Sequence, residues 1–132
     1  MSKPVALVID DDKNLSEVFS MALDHAGFET EIINDSTQAM EYITTRKPAL
    51  ITLDIQMPLI SGIDILRWIR ADEQLKHIKV LMVTANERAS DTEEIDLMAD
   101  LILIKPVTFS QLKEMAGRLI QTLPDQTLPD NS

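Results

Sequence analysis

The chain has 132 residues, 45% of them hydrophobic and 26% charged, which suits one globular domain with a sizeable core and leaves no room for two. Its 22 acidic against 12 basic residues give a formal charge of −10, which argues against direct nucleic-acid contact, because phosphate neutralisation needs clustered Lys and Arg. The lack of cysteine excludes disulfides and thiolate metal sites, no apolar run approaches the ~18 residues of a membrane span, and Met-Ser-Lys-Pro opens no signal peptide, so the expected location is cytoplasmic.

The first apolar run, Val5–Ile9, ends on Asp10 and Asp11 and reads as a buried strand. Over residues 14–26, Leu15, Val18, Phe19, Ala22, Leu23 and Ala26 recur at helical spacing, with Asn14 and Glu17 as a capping-box-like start and Gly27 as a stop. Asp12 fits a role at the helix dipole and in capping, and no more. A weak strand over 30–33 ends on Asn34-Asp35, a strand end with no evident function, and a short helix over 36–45 turns Ala39, Met40 and Ile43 inward. Pro48 introduces the second apolar run, 49–53, which ends on Asp54. Ser61 caps a helix over 63–70 that puts Ile63, Leu66 and Ile69 on one side. The third run, 80–83, ends on Thr84 and the fourth, 101–104, on Lys105. Between them, the acids of 90–99 leave Ile95, Leu97 and Met98 as large apolar residues, so the helix there should be short and loosely held. Thr108 caps a last helix with Phe109, Leu112, Met115, Ala116, Leu119 and Leu123 near its inner face. Gln-Thr-Leu-Pro-Asp then occurs twice, at 121–125 and 126–130, in a polar, proline-broken end expected to be disordered.

Five rounds of strand then helix predict an α/β fold, a doubly wound parallel sheet with helices on both faces. In such a sheet the carboxyl ends of the strands share one rim, where ligands bind. Asp10, Asp11, Asp54, Thr84 and Lys105 would gather there. Like charges about 4 Å apart repel by on the order of 4 kcal/mol at an effective dielectric near 20, so a cation must hold the three acids together. Oxygen donors without Cys or His favour Mg²⁺. Asp54 then fits a nucleophile toward phosphorus, with Mg²⁺ and Lys105 neutralising the phosphoryl oxygens and Thr84 donating a hydrogen bond to one of them, to give an aspartyl phosphate. Each residue alone has a plainer reading: helix capping for the acid run, a loop acid for Asp54, a β-branched strand residue for Thr84, a strand end for Lys105. Their joint occurrence changes the odds. Met57, Met82 and Met98 read as core filler, and His25 and His77 have no ligand spacing.

At this point the chain resembles the receiver domain of two-component response regulators, through Leu-Val-Ile-Asp-Asp-Asp at 7–12, Leu-Asp-Ile-Gln-Met-Pro at 53–58 followed by Gly62, Val-Thr-Ala at 83–85 and Lys-Pro at 105–106. The resemblance implies a flavodoxin-like (βα)5 sheet in order 2-1-3-4-5, a fold for which a chemotaxis receiver is a known example. It implies a receiver over 1–123 and a tail over 124–132. Asp54 resembles the phosphoacceptor, Asp11 a direct Mg²⁺ ligand with Asp10 acting through water, the Gln56 backbone carbonyl a further ligand, Thr84 the switch hydroxyl and Lys105 the phosphate-binding lysine. A cis Lys105–Pro106 bond, a phosphohistidine donor on a sensor histidine kinase or histidine phosphotransfer protein, and an unnamed downstream protein are implied in the same way.

Two positions depart from the family pattern. Receivers place Tyr or Phe three residues before the lysine, where this chain has Ile102, so the conformational signal should be smaller or travel through 85–89. Met98-Ala99-Asp100 stands in place of Gly-Ala-Asp, which leaves the end of the fourth helix open. Partner choice on the surface of the fourth helix, fifth strand and fifth helix should be atypical as a result. Two alternatives stand beside this reading. One is a receiver-like interaction module that takes no phosphate, and the other a haloacid-dehalogenase-type phosphatase with Asp10 as nucleophile and Asp12 as acid/base. The latter lacks the expected Thr or Val two residues after the pair, where Asn14 stands. The chain is expected to be a stand-alone receiver or a fragment of a larger regulator.

Overall fold

Strand β1 (Val5–Ile9) lies inside a parallel sheet, between β2 (Glu29–Ile33) and β3 (Leu50–Asp54); β4 (Lys79–Thr84) and β5 (Leu101–Ile104) extend it beyond β3. The computed structural model describes residues 3–85 and 92–123. The order among the described residues is 2-1-3-4-5, the sheet the resemblance implies. Strands β1, β3 and β4 are buried on both faces, which is why they read as unbroken apolar runs rather than as alternating ones.

The side chains of β1 part to the two faces. Leu7 and Ile9 enter one core with Ile43, Leu53, Leu66, Ile69 and Ile95, beneath α2 (Ala39–Arg46), α3 (Gly62–Ala71) and α4 (Thr92–Met98). Ala6 and Val8 enter the other with Phe19, Leu23, Leu112 and Ala116, beneath α1 (Lys13–Ala26) and α5 (Phe109–Ile120). Met82 is buried and Met57 and Met98 pack against the first core, as filler. A 3-10 turn, Ser36–Gln38, precedes α2, so the helix expected from residue 36 is divided.

Helix α1 starts one residue earlier than its periodicity suggests. Its N-cap is Asp12, whose side chain accepts from Leu15 N at 3.0 Å, rather than Asn14. Several oxygen-bearing side chains in a row make the cap ambiguous in sequence; geometry selects the one that leaves the strand extended. Gly27 closes the helix in the left-handed region at φ 110°, and Ser61 and Thr108 cap α3 and α5 as expected. Helix α5 ends at Ile120, so Leu123 lies beyond it, half-buried against the second core. The expectation for the tail at 124–132 and most of the 85–89 loop lie outside the described residues.

Helix α4 ends at Met98, and its last turn is held from α3. Arg70 donates to the carbonyls of Met98 (2.7 Å), Lys76 (2.9 Å) and Ile78 (2.7 Å) and to Asp100 Oδ2 (3.0 Å). Asp100 Oδ2 also accepts from Val80 N at 2.7 Å, joining the starts of β4 and β5 to this cluster.

Candidate functional site

The parallel register aligns the carboxyl ends: Ile9 stands opposite Leu53, Asp54 opposite Val83, and Thr84 opposite Ile104. The residues that follow fall at the same end of the sheet. Among the described residues, Asp10, Asp11 and Asp54 each offer a carboxylate oxygen, all within 4.8 Å of one another. Lys105 Nζ stands 3.3 Å from Asp54 Oδ2 and 3.6 Å from Asp10 Oδ2. Thr84 is buried, and the Lys105 N–H donates to its carbonyl at 2.8 Å, which ties hydroxyl-bearing and ammonium-bearing residues to one rung. The Lys105–Pro106 peptide is cis, as the resemblance implies.

Local turns fix the acids. Asp54 Oδ1 accepts from Gln56 N at 3.1 Å, an Asx-type turn that leaves Oδ2 toward Lys105. Gln56 itself is exposed. Asp10 Oδ1 accepts from Asp12 N at 2.9 Å, while Asp10 Oδ2 is buried without a hydrogen bond, its ion pair to Lys105 being longer than a hydrogen bond allows. Asp11 is exposed. Burial pushes the Asp10 carboxyl up to about 6; the Asp12 N–H and Lys105 oppose the rise, and the charges of Asp54 and Asp11 add to it. Burial disfavours the charged Lys105, but Asp10 and Asp54 outweigh it and hold its pKa above the ordinary lysine value.

Gly62 is what lets α3 begin this close to Asp54. A Cβ there would lie 2.2 Å from the Asp54 carbonyl oxygen and 2.9 Å from Ile55 Cα. The Gly62 N–H donates to Ile55 O at 3.0 Å, so the helix start is bonded onto the end of β3.

Three carboxylates against one ammonium leave a net negative, partly buried pocket of oxygen donors, with one carboxylate oxygen lacking a hydrogen bond. Those are the features a hard divalent cation requires, and the residues present fit Mg²⁺. Two polar side chains that the sequence reading passed over also reach this end. Asn34 Nδ2 donates to Asp10 O at 2.7 Å, and Ser36 Oγ donates to Pro58 O at 2.7 Å. Their partners are backbone carbonyls, which carry no residue signature; the only hint was a short amide directly after a strand that neighbours β1.

The family model of the response regulator receiver domain matches residues 6–117. The polar-differentiation response regulator DivK of Brucella ovis is 35% identical over 95 residues, covering 72% of this chain and 76% of that protein, and DivK of Brucella anthropi is 34% identical over the same length. In structure, the chemotaxis response regulator CheY4 of Vibrio cholerae superposes with a TM-score of 0.80 at 24% identity, covering 89% of this chain and 99% of that one. The signal receiver domain of a signal transduction histidine kinase from Syntrophus aciditrophicus gives 0.82 at 23% identity, covering 98% of both. These two superpositions speak for the fold; the match to the family model over most of the chain and the sequence identity to DivK make the chain a member of the response regulator receiver family of two-component signalling.

Proposed function

We propose that Asp54 accepts a phosphoryl group from a phosphohistidine donor, with Mg²⁺ held by Asp10, Asp11, Asp54 and the Gln56 backbone carbonyl, and that the phosphorylated chain signals by conformational change and docking. The observation that carries this reading is the approach of Lys105 Nζ to Asp54 Oδ2 at 3.3 Å beside a buried second carboxylate. Bound Mg²⁺ would supply neutralisation of charge on the transferring phosphoryl oxygens. Asp54 forms the new O–P bond as the P–N bond to the donor imidazole breaks, and the imidazole leaves with the bonding pair. Lys105 holds a second phosphoryl oxygen, and Thr84 donates its hydroxyl to a third. Asp11 would hold the ion directly, with Asp10 contributing beside it.

The family implies histidine kinases or phosphotransfer proteins as partners, and its members are signalling modules rather than enzymes with a separate substrate. The donor is then a sensor histidine kinase or a histidine phosphotransfer protein, and the product acts on a downstream protein in the cytoplasm, without nucleic-acid contact by this chain. Among the described residues no helix is long and apolar enough to cross a membrane. We assign residues 1–123 to the receiver and 124–132 to a tail. Lys105 Nζ stands nearer to Asp54 Oδ2 (3.3 Å) than to Asp10 Oδ2 (3.6 Å), which supports Asp54 over the phosphatase alternative.

Intact-mass measurement after incubation with acetyl phosphate and Mg²⁺ tests the reading. The wild type should gain one phosphoryl group and Asp54→Asn none. Persistence of the adduct in Asp54→Asn with its loss in Asp10→Asn would favour the phosphatase chemistry, and no adduct on the wild type would favour the unphosphorylated module.

A further inference from the structure

Two part-buried bonds join loops that are far apart in sequence, and both come from one three-residue stretch. Asn34 lies directly after β2 and gives its side-chain amide N–H groups to Asp10 O at 2.7 Å and to Ser16 Oγ at 3.0 Å. Ser16, fully buried on α1, in turn donates to Asp12 O at 2.7 Å, so the acid loop 10–12 is gripped from both its ends. Ser36, 4% exposed, donates to Pro58 O at 2.7 Å in the loop that follows Asp54 and Gln56. A single residue, Asp35, separates the two donors, and two chain steps span at most about 7 Å. Asp35 is itself fixed, accepting from Thr37 N at 2.9 Å and from Thr37 Oγ1 at 2.6 Å.

We propose that Asn34 and Ser36 form a brace that fixes the gap between the acid loop and the loop after Asp54, and so sets the affinity of the site for a divalent cation. The inference rests on the metal site proposed above. Asp10, Asp11 and Asp54 repel one another and the single ammonium of Lys105 offsets only part of that repulsion, so the spacing of their loops needs a further hold; an ion that has to close the gap spends binding energy doing so. The brace supplies that closure through two backbone carbonyls, without a charge and without touching the ion. Asn34 and Ser36 are therefore positioning residues.

The 132-residue chain is titrated with Mn²⁺, followed by the electron paramagnetic resonance of the free ion, with Mg²⁺ as competitor. Asn34→Ala and Ser36→Ala should each raise the Kd for Mn²⁺ about tenfold, the usual scale for residues that orient ligands. Thr37→Ala removes a hydrogen bond from the same stretch but reaches neither loop, and should leave the Kd unchanged. Affinity is read beside the metal-free thermal midpoint of each variant. A fall in midpoint with unchanged affinity in Asn34→Ala and Ser36→Ala overturns the brace, as does an equal loss of affinity in Thr37→Ala. A wild type that binds no Mn²⁺ overturns the metal site and the brace together, whereas normal binding by the wild type and by both alanine variants overturns the brace alone.

Discussion

Asp10 is the residue on which the balance between folding and function turns. Its carboxyl is buried with one oxygen lacking a hydrogen bond, and its pKa is raised from 3.8 to about 6, so the folded chain holds its proton over a range where the unfolded chain has released it. The raised value means that its contribution to stability is complete at low pH and fades as pH climbs through that interval. Asp10→Asn lacks this loss. In metal-free buffer it should match the wild type near pH 4 and exceed it by on the order of 3 kcal/mol above about pH 7, read from urea denaturation at each pH. Added Mg²⁺ should narrow the difference by stabilising the wild type more than the variant. The acids and the lysine were legible in the sequence because each follows a buried apolar run, and parallel strands bring their ends together. The roles of Asn34 and Ser36 were not, since a side chain that binds a distant carbonyl answers to the fold and not to any neighbour in the chain.

Helix α3 is anchored at both ends by features of different kinds. At its start, Gly62 leaves no room for a side chain against the Asp54 carbonyl. Gly62→Ala should cost on the order of 3 kcal/mol in urea denaturation, the upper range for overpacking, since the neighbour that must yield is backbone. At its end, Arg70 serves three carbonyls and Asp100. Arg70→Ala should cost about 2 kcal/mol and speed amide hydrogen exchange in α4 and at the start of β5, while Arg70→Lys restores little, because one ammonium has no planar fork to span four acceptors. The start of α3 was legible through Ser61, whose cap is local, but this end of it was not. The cap of α1 shows the same limit at short range: Asp12 and Asn14 are both good caps, and only the extended backbone at Asp12 decides between them.

At the scale of the molecule, the sheet separates a chemical end from the surface that includes α4, β5 and α5. Ile102 is half-buried and packs against the core layer beneath α4, in the place where receivers carry an aromatic ring. An isoleucine has no polar tip to trade between solvent and interior, so phosphorylation should move this surface little. In amide NMR spectra the changes on phosphorylation should concentrate around Asp10, Asp54, Thr84 and Ala85. Large changes across α4, β5 and α5 would show that the isoleucine transmits as a ring does. The strands and the inward faces of the helices were legible because buried parallel strands and amphipathic helices leave strong periodic marks, whereas the strand order followed from the resemblance to receivers.

The rung that joins Thr84 O to Lys105 N fixes the spacing between the two residues. Hydroxyl and ammonium hang from neighbouring strands of a stiff ladder, so the catch is rigid whatever sequence is strung between them.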